Sequence, residues 1–507
     1  MFASPPPSAL RHPPRVPRPT PVPRVDGAAL PLPGPGAATE DFWAEVARRG
    51  TPVVGPDPLG DPAHRGVTFL WRGGPGTRAV QAVPNKLADP HDPRATLMER
   101  VPDTDVWHVT LRLGADWQGT YDLLVDEGGG PASGSPEYAA WLRTRRRADP
   151  FNSRTLPRRW GGEPLHWAAL PQAPAQDAWS LPCPAGERGT LSAHAVPSAR
   201  LGGTRRTWLY TPAGADAVVA GPANGGGATL PGSGRGAALP GSGRGAALPG
   251  SGPGAALPGS GLPLLVLLDG EHWGPVLGVA GLLDGLIAAG LVPPMAALLP
   301  DSVDADTRWA ELTCSPEYLA FLTEDLIPWA AERLPLTTDP ARTVIAGQSL
   351  GGLTAAWAAL AAPHRFGNVL AQSGSFWWPN GPDAEWLTRT IASAPRRPVR
   401  FRLSFGRQEW VALPAARRLR TALAEAGYED AEYHEFNGGH DYLCWRSELA
   451  AGLPELVPGP VASEPVASEP VDSEPLDSGG EARAAEAASA GLPGAAARAR
   501  TAPGAAL

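Results

Sequence analysis

The chain of 507 residues holds 61 glycines and 61 prolines, about twice the roughly 12% these two contribute to an ordinary globular protein. Hydrophobic residues at 43% and 18 tryptophans exclude a wholly disordered chain, so a packed body carrying Pro/Gly-rich segments is expected. A net charge of -8 and a single lysine, Lys86, leave no electrostatic footprint for nucleic acid.

Residues 1–38 are Pro-rich with scattered Arg and read as a solvated polyproline extension without a core. They show no apolar run of the kind a secretory signal needs. FWAEVARRG (42–50) reads as a short amphipathic helix ended by Gly50. VTFLW (67–71), AVQAV (79–83), DVWHVTLRL (105–113) and GTYDLLV (119–125) are apolar or alternating runs parted by turn residues. That grammar predicts an antiparallel β-sandwich domain over 39–185.

TWLYTP (207–212) opens a second domain, 186–455. LPGSG then recurs at 230, 239, 248 and 257, and 213–262 is expected to be a flexible insertion. These nine-residue units lack the Asp ligands and strand hydrophobes of a Ca²⁺-binding β-roll. From 263 the pattern is βα alternation: LPLLVLLDG, a helical GVAGLLDGLIAAG, MAALLPD, a helical 316–334, ARTVIAGQ, a helical LGGLTAAWAALAA, GNVLAQSG, VRFRLSFG, a helical PAARRLRTALAEAG and AEYHEF. Near-continuous apolar strands between helices predict a mostly parallel sheet with helices on both faces. Residues 456–507 read as a disordered acidic and Ala-rich tail. No stretch of 18 apolar residues exists to span a membrane. Three widely spaced cysteines (Cys183, Cys314, Cys444) fit a reducing compartment and no zinc site, so a soluble cytoplasmic protein is expected.

Gly347-Gln348-Ser349-Leu350-Gly351, between a strand and a helix, carries the chemistry. In that context GxSxG is the nucleophile elbow of an α/β hydrolase, a turn too tight for flanking side chains. Serine needs a base, and the fold's order places an acid and then a histidine downstream. His364 reads as a surface turn and His434 as an exposed strand position. His440, in the Gly-rich loop NGGHDYLCW, is the expected base. Glu409, three residues past Gly406 at the end of the penultimate strand, is the expected acid, since Asp441 is too close in sequence to His440 to reach behind its ring. The oxyanion hole is expected from the Leu350 amide and one amide in the stretch from Gly270 to Trp273.

LLDGEHW, VIAGQSLGGL, LAQSGSFWWP (370–379) and NGGHDYLCWR (437–446) closely resemble the enterochelin (enterobactin) esterase family. FWAEVARRGTP, VTFLWRG, VPDTDVWHVTLRL, GTYDLLV and ADPFN (148–152) are similar to that family's N-terminal domain, so about 360 residues are covered. The resemblance implies a serine esterase that cuts the trilactone of a tris-catecholate siderophore, with Ser349, Glu409 and His440 as its triad. It implies no cofactor for catalysis, because Fe³⁺ arrives bound to the substrate. Related siderophore esterases also work with a Ser–His dyad, which leaves the part played by Glu409 open. An anionic aromatic substrate calls for Trp and Arg, which makes Trp273, Trp377, Trp378 and Arg308 candidate contacts. The plainer alternative is that the tryptophans pack against the N-terminal domain and Arg308 pairs with Glu311. The basic run Arg143, Arg145, Arg146, Arg147 reads as a solvated helix face or an attractor for such a substrate. Rival readings are a general carboxylesterase or acyltransferase of the same superfamily, and a non-catalytic siderophore-binding module.

Overall fold

Period-two hydrophobicity in the first third of the chain becomes two five-stranded antiparallel sheets facing one another. The computed structural model describes residues 5–6, 12–88, 93–132, 135, 137–215 and 261–460. The expected insertion at 213–262 and the tail from 456 therefore lie almost wholly outside the described residues. The first sheet runs Arg24–Val25, Val106–Gly114, His64–Arg72, Val53–Pro56, with Glu99–Arg100 also on Val106–Gly114. The second runs Ala79–Pro84, Gln118–Asp126, Leu165–Ala169, Thr155–Leu156, with Arg146–Arg147 on Gln118–Asp126. Val67, Phe69, Val109 and Leu111 of one sheet bury against Val80, Tyr121 and Leu123 of the other.

One expectation is corrected here. The segment 1–38 is in part built into the sandwich, because its few apolar residues find partners. Arg24–Val25 pair with Leu111 and Thr110, and Leu30 is buried with Trp43, Val46 and Val53. Proline content hides these positions, since a polyproline segment shows no periodicity of its own. The predicted helix forms at Glu40–Arg49, acidic in its first turn and basic in its last, which suits the helix dipole. Gly50 ends it at φ 77°, a conformation glycine adopts without strain.

The second sheet system has eight strands in the order Thr190–Ser198, Gly203–Thr211, Ala296–Pro300, Leu264–Leu267, Thr343–Gln348, Asn368–Gln372, Arg400–Gly406, Glu432–Phe436. The first two form an antiparallel hairpin, and Gly203–Thr211 is antiparallel to Ala296–Pro300. Every later pairing is parallel. Leu264–Leu267, Ala296–Pro300 and Thr343–Gln348 are buried along their whole length, as strands covered on both faces must be. This is an α/β hydrolase with an N-terminal all-β sandwich. The helical stretch 316–334 widens to a π turn over Phe321–Leu326 between Pro316–Ala320 and Ile327–Ala331. Pro328 has no N–H to return to the carbonyl four residues back, and the wider turn relieves that mismatch.

The sandwich docks on the loop that follows the last strand. Gln118 N–H donates to Asn437 O at 3.1 Å, Asn437 Nδ2 to Asp116 Oδ1 at 2.6 Å, and Asn85 Nδ2 to His440 O at 2.9 Å. Thr120 gives both its N–H and its hydroxyl, the latter at 2.8 Å, to Asp441 Oδ2. Burial pushes the Asp441 carboxyl up even with these donors, so each one matters. Thr120→Val, which keeps shape and removes the hydroxyl, is expected to cost about 1–3 kcal/mol of stability, measured by denaturant unfolding. An unchanged midpoint would mean that the interface holds Asp441 without it.

Candidate active site

The elbow is a consequence of crowding. A Cβ on Gly347 would lie 2.6 Å from Gly351 C, and one on Gly352 would lie 3.0 Å from Gly374 Cα. Gly351 itself has ordinary room, with Leu268 Cβ at 3.5 Å, so the tight flank is Gly347 and Gly352 rather than both glycines of the motif. Between them Ser349 is held at φ 58°, ψ -121°, a strained conformation for a residue with a Cβ and one found at functional turns. It heads the helix Leu350–Ala361, whose first N–H groups have no partner within the helix. Ser349 Oγ lies 3.4 Å from Ser375 Oγ.

His440, on the loop 437–441, lines the same cavity as Ser349. Both glycines of that loop permit close approach: a Cβ on Gly438 would meet Cys444 Sγ at 2.4 Å, and one on Gly439 would meet Asn85 Oδ1 at 2.6 Å. His440 Nδ1 donates to Glu409 Oε2 at 2.6 Å, and the ring packs edge-on to Trp445 at 4.8 Å. Glu409 is 2% exposed, and a lone carboxylate at such a depth would cost several kcal/mol. Its second oxygen accepts from Ser373 Oγ at 2.6 Å and Gly406 N–H at 2.9 Å. Burial alone would push the Glu409 carboxyl up. The His440 charge and the three hydrogen bonds outweigh that and hold it below the usual range. An ionised acceptor fixes Nδ1 as the protonated nitrogen, so Nε2 is left to take a proton. Asp441 points away, to Thr120. His364 is exposed and His434 pairs with Glu448 at 3.0 Å.

Ser349, Leu350, Glu409 and His440 line one cavity of about 220 Å³. Trp309, Trp377 and Trp410 form an aromatic wall, and Lys86 and Arg308 bring positive charge; among the described residues Glu409 is the only carboxylate in the lining.

Residues 66–179 match the family described as Enterochelin esterase, N-terminal, and residues 253–456 the family described as Putative esterase. The iron(III) enterobactin esterase of Dickeya dadantii (strain 3937) is 32% identical over 468 residues, covering 84% of this chain and 95% of that one. The chain belongs to the enterochelin esterase family. It is a hydrolase acting on ester bonds. The iron(III) enterobactin esterase of Escherichia coli (strain K12) is 30% identical over 77% of this chain and 90% of its own. Among solved structures, the enterobactin esterase FES from Shigella flexneri in the presence of enterobactin superposes with a TM-score of 0.63 at 27% identity. That alignment covers 83% of this chain and 98% of the other. The ferric enterobactin esterase from Salmonella typhimurium gives a TM-score of 0.64 at 28% identity, over 82% and 98%.

The remaining residues singled out in this esterase fall into two groups. Trp377 lines the cavity. Arg308 also lines it, but its Nε and Nη2 are spent on Asp269 at 2.8 Å each, and Glu311 pairs instead with Arg205. Trp273 and Trp378 do not line the cavity. Trp273 is fully buried, donates to Gln348 Oε1 at 2.9 Å and stacks near Trp179. Trp378 is buried against Trp386. Both correct the expectation of substrate contact, because their rings are buried in the two core clusters of the hydrolase sheet, while Trp377 beside them lines the cavity. Gly270 does not line the cavity either. A Cβ there would meet Leu299 O at 2.1 Å, so its glycine serves close packing. His272 and Trp273 return their N–H groups to Asp269 O, which leaves the amides of Gly270 and Glu271 as the candidates in that stretch.

Three features escaped the sequence reading. Ser373, after the strand Asn368–Gln372, accepts from Trp445 Nε1 at 2.8 Å while donating to Glu409. It ties Glu409 to the Trp445 ring that packs against His440. Its signal was the SGS following LAQ at the sheet's C-terminal edge. Asp269, fully buried at φ 64°, gathers Arg159, Ser302, Arg308 and Gln348 beneath the elbow. Burial opposes its charge, yet Arg159 and Arg308 hold its carboxyl well below the usual range. Arg159 comes from the sandwich domain, so that domain braces the site from below. Lys86 and Trp410 had no motif to mark them.

Proposed function

We propose that this chain hydrolyses the trilactone of an enterobactin-like tris-catecholate siderophore through Ser349, His440 and Glu409. The observation that carries the reading is the lining of the cavity: three tryptophans and Lys86 around Ser349, with Arg308 paired to Asp269 and the Glu409 carboxylate locked onto His440. Such a wall suits an aromatic polyanion and repels nothing in it. The likeness to enzymes named for iron(III) enterobactin over 95% of the Dickeya chain supports the same substrate.

His440 Nε2 takes the proton of Ser349 as Oγ attacks a seryl ester carbonyl. The tetrahedral oxyanion is held by the Leu350 amide, the one expected donor whose residue lines the cavity. As the C–O bond breaks, His440 returns the proton to the leaving seryl hydroxyl and the ring opens. Water, deprotonated by His440, then attacks the acyl-enzyme and releases the carboxylate, with Ser349 regaining its proton. The oxyanion donors supply the polarisation, so the reading asks for no resident metal, and Fe³⁺ is cargo of the substrate. We place the domain border near residue 185, ahead of the first hydrolase strand at Thr190. We place the protein in the cytoplasm. Its free Cys183, Cys314 and Cys444 fit that compartment, and among the described residues no helix is long and apolar enough to cross a membrane.

The test is a kcat/KM comparison across a catecholate trilactone, a feruloyl ester and a p-nitrophenyl acyl ester, with fluorophosphonate titration of Ser349. Preference for the trilactone with stoichiometric labelling is expected. Fast cleavage of small esters with none of the trilactone would favour a general carboxylesterase. An inert Ser349 would favour a binding module.

A further inference from the structure

The cavity at Ser349, about 220 Å³, is smaller than the roughly 300–1,000 Å³ of pockets that enclose a drug-sized ligand. A tris-catecholate with one ester at Ser349 must therefore extend beyond it. A second cavity, of about 620 Å³, adjoins the first and shares Pro13, Trp410 and Val411 with it. Its other lining residues are His12, Pro14, Arg15, Val16 and Arg143. Among the described residues no carboxylate lines it.

Its wall is the Pro-rich N-terminal arm, which lies ahead of the family-matched residues 66–179. The arm is pinned across the mouth of the site. Asn380 Nδ2 donates to His12 O at 3.0 Å, Trp410 Nε1 to Val16 O at 2.8 Å, and Arg18 to Lys86 O at 2.6 Å and to Gln408 Oε1 at 3.2 Å. Arg18 and Lys86 place their charges 5.6 and 5.8 Å from the Trp410 ring centroid. Of the basic run, Arg145 lies over Trp141, Arg146 pairs with Asp122 and Arg147 with Glu127. Arg143 and Arg15 have no carboxylate partner among the described residues. Two uncompensated guanidinium groups beside an indole make a subsite for an anionic aromatic ring.

We infer that the arm's Arg15, with Arg143 of the sandwich domain and Trp410, forms a second subsite that holds an anionic catecholate arm of the substrate while another arm is cleaved at Ser349. The inference rests on the trilactone reading above.

The test uses the full chain and an Arg15→Ala/Arg143→Ala variant, at active concentrations set by fluorophosphonate titration, with ferric and iron-free enterobactin as probes. Both arginines are exposed, so folding is not at stake. KM on the trilactone should rise about tenfold, the size of two solvent-screened charge contacts, with kcat little changed. The increase of KM with added salt should flatten in the variant. A Michaelis constant and salt dependence equal to those of the unaltered protein would overturn the subsite alone. If the unaltered protein fails to turn over the trilactone, the function reading and the subsite both fall.

Discussion

Ser349→Ala is expected to lower kcat on a catecholate trilactone by about 10⁴- to 10⁶-fold, the range seen when the nucleophile of a serine hydrolase is removed. The loss should come without unfolding. Among the described residues the hydroxyl's hydrogen bond is a long one, 3.4 Å to Ser375. Alanine also carries a Cβ, so the strain at φ 58° is the same before and after. The thermal midpoint should therefore stay in place while turnover vanishes. Retention of most activity would show that another group attacks the ester.

Glu409→Gln is expected to lower kcat by about 10²- to 10⁴-fold with KM little affected. The hydrogen bonds around Glu409 dictate how the amide must sit. Oε1 accepts from Ser373 Oγ and Gly406 N–H, so the glutamine oxygen keeps that place and its NH₂ faces His440. Nδ1 must then accept, the ring proton moves to Nε2, and Nε2 can no longer take the proton of Ser349. A kcat unchanged by this substitution would mean that a Ser–His dyad suffices. The same buried carboxylate links stability to pH. Its folded pKa is depressed, so its contribution is complete above the ordinary carboxylate range and is lost as pH falls through the lower folded value. Unfolding followed from neutral to acid pH should show a shallower loss in Glu409→Gln.

Much of the candidate site's layout was legible because its local rules are strict. A GxSxG between strand and helix admits one geometry, and the order Ser, acid, His left His440 and Glu409 as the residues whose loops leave the sheet's C-terminal edge. The βα grammar was equally plain, since strands buried on both faces are written in uninterrupted Leu, Val and Ala. What could not be read were contacts made across long stretches of chain. Arg159 reaching Asp269, Asn85 holding the His440 carbonyl, and Val16 capping Trp410 join residues about 110 to 394 positions apart, and no periodicity encodes them. Trp273 and Trp378 show the opposite error. Proximity to a motif in sequence placed them at the substrate, whereas their rings are buried in the core. The Pro-rich arm was misjudged because composition averages over a segment, and Val22, Val25 and Leu30 are few enough to vanish in the average.

The central claim is that Ser349 opens a catecholate trilactone. Its most direct test is chromatography of products from ferric and iron-free enterobactin incubated with the protein and with Ser349→Ala. Linear catecholoyl-serine products from the first and intact trilactone from the second are predicted. Intact trilactone from both, or equal product from both, would contradict the account.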